Sequence, residues 1–99
     1  MPESPAISDF APRVGERFSI GPVADGLTFD TELVEATVVG EAAGPGSRIP
    51  FSLVFRGPAG VVLPQRIYRV HHPDLGSLDI FLVPIGPDST GMRYEAIFT

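Results

Sequence analysis

The stretch YRVHHPDLGSLDIF (residues 68–81) contains both histidines of the chain, and its reading decides the fold. His-His-Pro-Asp is either a site for a metal or a proton, or the corner between two strands. Register separates the two. A four-residue loop 73–76 sets Val70 opposite Asp79 and Arg69 opposite Ile80, which are mismatched pairs. A five-residue loop 72–76 sets Val70 opposite Leu78 and Tyr68 opposite Ile80 on one face. Arg69 then meets Asp79 and His71 meets Ser77 on the other face. Like pairs with like, as cross-strand stabilisation requires. Pro73 fixes φ for the turn, Asp74 follows it, and Gly76 is free to take a positive φ. The stretch therefore reads as a hairpin. His71 ends a strand on the outer face and His72 enters the turn. Neighbours in a strand point to opposite faces. Zinc needs three or four protein ligands, and Asp74 and Asp79 already have local uses. The pair is expected to be structural or solvent-exposed, and no metal site is expected.

The same alternation runs outward from the hairpin. In IPFSLVFR the apolar set is Ile49, Phe51, Leu53 and Phe55, with Ser52 and Arg56 opposite. In GMRYEAIFT the set is Met92, Tyr94, Ala96 and Phe98, with Arg93 and Glu95 opposite. Both predict strands with one buried face. ELVEATVV (32–39) and RFSI (17–20) predict further strands. In SLDIFLVPI the pattern fails, because Phe81, Val83 and Ile85 are apolar on the face opposite Leu78, Ile80 and Leu82. That strand is covered on both sides or displays an apolar stripe. A five-residue loop 87–91 sets Phe81 opposite Ile97 and Val83 opposite Glu95, with Leu82 by Ala96 and Ile80 by Phe98. Ile67, Phe81 and Ile97 then form one outer row, which Val83 extends. Two fates are expected for it: a protein interface, or cover by the N-terminal segment through Ile7 and Phe10.

Eleven glycines and eleven prolines punctuate the chain, so the pieces between turns are short. The likeliest helix is a single turn at 8–14, which Ser8 or Asp9 caps and Gly15 ends. The expected fold is all-β: a small antiparallel barrel or compact sandwich of about six strands with a short N-terminal helical turn. Residues 1–99 form one domain, with 1–7 expected to be flexible and 40–48 a mobile loop.

Composition excludes several function classes. There is no cysteine, so disulfides and thiolate chemistry are absent. The net charge is −5 and the seven arginines are scattered, which argues against nucleic-acid partners. MPESPAISDFAPRVG lacks the features of a signal peptide. The run IFLVPI is too short to cross a bilayer. The chain is expected to be cytoplasmic as synthesised, with no membrane partner. No serine lies in a nucleophile elbow. GPAG and GPDSTG open no helix that would bind phosphate. The contact of His71 with Ser77 reads as a surface hydrogen bond. No catalytic residue and no cofactor are expected.

The motifs FSLVFRGP (51–58), LPQRIYRVHHPDLG (63–76), FLVPIGPD (81–88) and GMRYEAIF (91–98) resemble a family of short stand-alone bacterial proteins classed as a domain of unknown function. FAPRVGERF (10–18) resembles its usual opening. The resemblance implies a small β-fold and assigns no catalytic residue. It also ranks assembly first, since such proteins are expected near phage-tail-like or fibre genes. The expected function is a non-enzymatic structural or protein-interaction module. It assembles with itself or with a larger complex, with a phage-tail-like or filamentous particle as one setting. A small-ligand or peptide-binding β-barrel is the alternative.

Overall fold

The computed structural model describes residues 5–23, 26–41, 44–46 and 49–99. A four-residue helix, α1 (Ile7–Phe10), runs into a 3₁₀ turn (Ala11–Arg13). Six strands follow: β1 (Arg17–Ile20), β2 (Phe29–Val38), β3 (Phe51–Gly57), β4 (Arg66–His72), β5 (Gly76–Pro87) and β6 (Met92–Phe98). They close into an antiparallel barrel in the order β1-β2-β3-β6-β5-β4. The expected choice between barrel and sandwich thus resolves to a barrel. The expected helical turn is present but starts one residue earlier, with Ala6 and not Ser8 or Asp9 as its N-cap; Asp9, inside the first turn, accepts a hydrogen bond from the Ala6 N–H at 2.9 Å, and Gly15 follows the segment at φ +94°.

The β4–β5 hairpin has the register read from the sequence. Tyr68 pairs with Ile80, Arg69 with Asp79, Val70 with Leu78 and His71 with Ser77. His72 and Gly76 also pair, so the ladder closes on a three-residue loop, with Gly76 at φ +75°. The β5–β6 hairpin reaches its register by another route. Val83 pairs with Glu95 as expected, but Pro87 pairs with Met92 and the register slips between Pro84 and Gly86. Ile85 is thus a bulge. It adds one residue to β5, and the turn 88–91 has one residue fewer than expected.

A barrel this narrow has room only for its own side chains. Phe18, Ile20, Leu33, Phe51, Leu53, Phe55, Val70, Ile80, Leu82, Tyr94 and Ala96 fill it. Each end is plugged. At the end where β3 starts and β6 stops, Phe10 is fully buried against Phe18, Phe51 and Phe98, with ring centroids 5.8–6.4 Å away. At the opposite end the loop 58–65 folds across the opening. There the Tyr94 hydroxyl accepts from the Leu63 N–H at 3.0 Å and donates to the Val61 carbonyl at 3.3 Å. The Tyr68 hydroxyl donates to the Pro64 carbonyl.

Three expectations need correction or restriction. Ile49 was grouped with the buried face of β3, but it is 50% exposed, because it lies before Phe51 on the arm that extends past the barrel. Leu78 and Phe98 are only partly buried, at the rims. The expected flexible segment 1–7 and mobile loop 40–48 fall partly on residues 1–4, 42–43 and 47–48, which lie outside the described residues. Ile7 itself packs against the core.

Candidate functional site

The apolar row stands on the outer face of β4, β5 and β6. Ile67 and Phe81 are direct cross-strand partners. They are 66% and 50% exposed, and Ile97 is 54% exposed. Val83 is half-buried beside Glu95. The β5–β6 ladder runs only from Val83–Glu95 to Pro87–Met92. Phe81 and Ile97 therefore lie two residues beyond its last pair, on the same face, and are not a ladder pair as expected. Ile97 pairs instead with Ser52 of β3. Ile7 and Phe10 do not cover the row, because both pack against the core of the barrel.

Both charge signs frame the row. Arg69 Nε donates to Asp79 Oδ1 at 3.1 Å, and both side chains are about 60% exposed. Arg93 donates to the Gly86 carbonyl at 3.2 Å. His71 lies 3.2 Å from the Ser77 hydroxyl. Ser52 and Val54, on the same face of β3, are buried. Their cross-strand neighbours, Thr37 and Ile97 for Ser52 and Glu35 and Glu95 for Val54, are larger and close over them.

Of the two expectations for the histidines, structural or solvent-exposed, His72 takes the structural one. It is 4% exposed, with its ring 4.7 Å from that of Phe18. The Asp74 N–H donates to His72 Nδ1 at 3.0 Å. The ring proton therefore sits on Nε2 in the neutral imidazole, where it is donated to Glu16 Oε1 at 2.7 Å. The pair ties the β4–β5 turn to the start of β1. Glu16 lies 56 positions upstream of His72, so no local pattern signals this contact. Among the described residues, no group of three or more His, Asp or Glu side chains stands close enough to hold a metal.

Arg56, on the face of β3 opposite the apolar set, is held by a specific partner. Its Nε and Nη2 both donate to Asp88 Oδ2, at 2.8 and 2.6 Å. Asp88 Oδ1 accepts from the Thr90 and Gly91 N–H groups at 2.8 and 2.9 Å. These bonds hold the Asp88 carboxyl well below the usual carboxylate range, the Arg56 hydrogen bond contributing most. The same bond raises the Arg56 guanidinium above its ordinary value. Both oxygens of Asp88 are engaged, so the group latches the β5–β6 turn to β3 and is not poised for proton transfer.

Two hollows lie near this latch. One, of about 410 Å³, is open and charged, with Arg17, Asp30, Glu32 and Arg56 around it. The other, of about 320 Å³, is apolar, with Val61, Val62, Pro87 and Met92 in its wall. Neither shows the convergent polar groups that fix a small ligand.

A family model described as Domain of unknown function (DUF6916) matches residues 5–98. No curated protein and no solved structure matches the chain.

Proposed function

The chain belongs to the DUF6916 family, whose description carries no activity, and from that premise we propose that it is a non-enzymatic protein-interaction module. The row of Ile67, Phe81 and Ile97, with Val83, is its docking surface. The observation that carries this reading is the exposure of three large apolar side chains on one face, each half exposed or more. An apolar centre inside a polar rim is the anatomy of a protein interface. The rim contains Arg69, Asp79, Arg93 and Glu95, which favours a protein of mixed charge over a polyanion or an anionic lipid surface. A filamentous or phage-tail-like particle is the setting that the sequence resemblance suggests. A ligand-binding barrel is the weaker reading, because side chains fill the interior and both ends are plugged.

Phe81→Glu tests the proposal. Position 81 is half exposed, so the variant is expected to keep its circular dichroism spectrum and melting temperature. It is expected to lose the partner proteins that co-purify with the wild type. A folded Phe81→Glu variant that retains those partners refutes the reading.

A further inference from the structure

A second surface lies away from the row, on the free edge of β2. β1 pairs with β2 only from Phe29 to Glu32. Gly15 and Glu16 extend that side by one residue, through bonds to the Leu33 carbonyl and N–H at 2.7 and 3.0 Å. On its other side β2 stays paired with β3 as far as Val38–Phe51, and the Val39 N–H reaches the Pro50 carbonyl at 3.0 Å. Beyond Leu33, β2 therefore keeps β3 on one side, and on its other side its backbone groups have no backbone partner among the described residues, although α1 and the 3₁₀ turn pack near the strand.

Alternation identifies which groups face the open side. In an antiparallel ladder, alternate residues direct both N–H and C=O to the same neighbour. Val39 bonds to Pro50, so Thr37 and Glu35 also direct their groups to β3, as paired partners of Ser52 and Val54. Leu33 directs its groups the opposite way, and the bulge between Leu33 and Glu35 accounts for the change of parity. Ala36 and Val38 are left with N–H and C=O pointing away from β3. Among the described residues, nothing accepts from or donates to them on that side. The adjoining surface is apolar: Val38, Val39 and Ile49 are each about 50% exposed. The segment Glu35–Val39 has no lysine or proline to discourage pairing and a single charge.

We propose that this edge pairs with the same edge of a second copy of the chain, antiparallel about a two-fold axis at Thr37. That register gives the open groups of both Ala36 and Val38 a partner. Ala36 faces Val38 of the second copy and exchanges both hydrogen bonds with it. The symmetric pair does the same, and the two Thr37 residues form the central non-hydrogen-bonded pair. Glu35 then faces Val39, so the single charge of each strand meets an apolar residue and not its own copy. Self-complementarity of this kind defines a two-fold interface.

The absence of cysteine makes the register directly testable. A non-hydrogen-bonded pair places its Cα atoms about 4.5 Å apart, within the range of about 4.4–6.8 Å that a disulfide spans. Thr37→Cys is expected to form a disulfide-linked dimer under mild oxidation at least about tenfold faster than Glu35→Cys, whose copies the two-fold keeps apart. Light scattering of the wild type is expected to rise toward twice the monomer mass with concentration. Val38→Pro removes an outward N–H and no β3 hydrogen bond, and Val38→Lys places a charge on the edge. Each is expected to abolish that rise, so the test survives if the proline variant fails to fold. A wild type that stays monomeric at millimolar concentration overturns the proposal, as do equal cross-linking rates for the two cysteine variants. Phe81→Glu is expected to leave this dimer intact, which separates its failure from that of the row.

Discussion

Phe10→Ala tests whether the N-terminal segment is part of the core or a strap laid over it. Phe10 is fully buried, and its ring touches three others: Phe18, Phe51 and Phe98. Truncating a buried phenylalanine costs about 3–5 kcal/mol, because the surroundings only partly collapse into the space left. The upper half of that range applies here. Phe18 and Phe51 are held by paired strands, and Phe51 is already stacked on Phe98 at 4.7 Å, so none can move into the gap. A domain has about 5–15 kcal/mol of stability in all. At about 4–8 °C per kcal/mol for a chain of this size, the melting temperature is expected to fall by at least about 16 °C. Scanning calorimetry measures this, with Phe55→Ala as the core reference. Val14→Ala is the reference for the segment's exposed side, Val14 being 46% exposed. If Phe10→Ala melts with Val14→Ala and not with Phe55→Ala, α1 detaches independently and the plug assigned to it is wrong.

Three further outcomes follow from single contacts. Gly91→Ala would put a Cβ 2.1 Å from the Gly57 carbonyl oxygen, so backbone has to move. Its urea midpoint is expected to fall by the equivalent of about 1–3 kcal/mol, and no change would show that the turn is loosely held. His72→Ala is expected to cost about 1–3 kcal/mol, while His71→Gln stays within about 0.5 kcal/mol; equal effects in denaturant melts would mean that the two rings are misplaced. The carboxyl of Asp88 ionises more readily folded than unfolded. Its contribution is therefore fully present above the unfolded value of about 3.9 and lost as pH falls toward the depressed folded value. Asp88→Asn is expected to be less stable than wild type at neutral pH, with the gap starting to narrow as pH falls below about 4, and a gap that stays constant as the pH is lowered through that range would contradict this.

The hairpin around His72 was legible because its pairing is overdetermined. Shifting by one residue would set arginine against isoleucine and valine against aspartate, so the register survives an error in loop length. The Val83–Glu95 pairing was right while the loop was wrong, because the bulge at Ile85 and the shorter turn offset one another. Pro84 and Gly86 on either side of Ile85 were the available signal, since both residues mark bulges within strands. The place of Phe10 inside the barrel was not legible for a different reason. Period-two alternation gives faces to strand residues, and a four-residue helix has no such parity. The links of His72 to Glu16 and Arg56 to Asp88 span 56 and 32 positions, and only the closed barrel brings them together. Ser52 had the right parity but the wrong burial, because the side chains flanking it, and not its own face, exclude water.

The two surfaces differ in what they can build. The β2 edge is self-complementary about a two-fold, so it closes at two chains and cannot propagate alone. The row on β4, β5 and β6 lies on other strands and stays free when that edge pairs. A dimer joined through β2 therefore presents two rows and binds a repeating partner bivalently, with avidity above that of one row. Comparing single and double variants isolates each part. Val38→Lys should leave a monomer that binds its partner weakly, Phe81→Glu a dimer that binds nothing, and the double variant neither. If Val38→Lys binds an arrayed partner as tightly as the wild type, the two surfaces act independently and the dimer adds nothing to assembly.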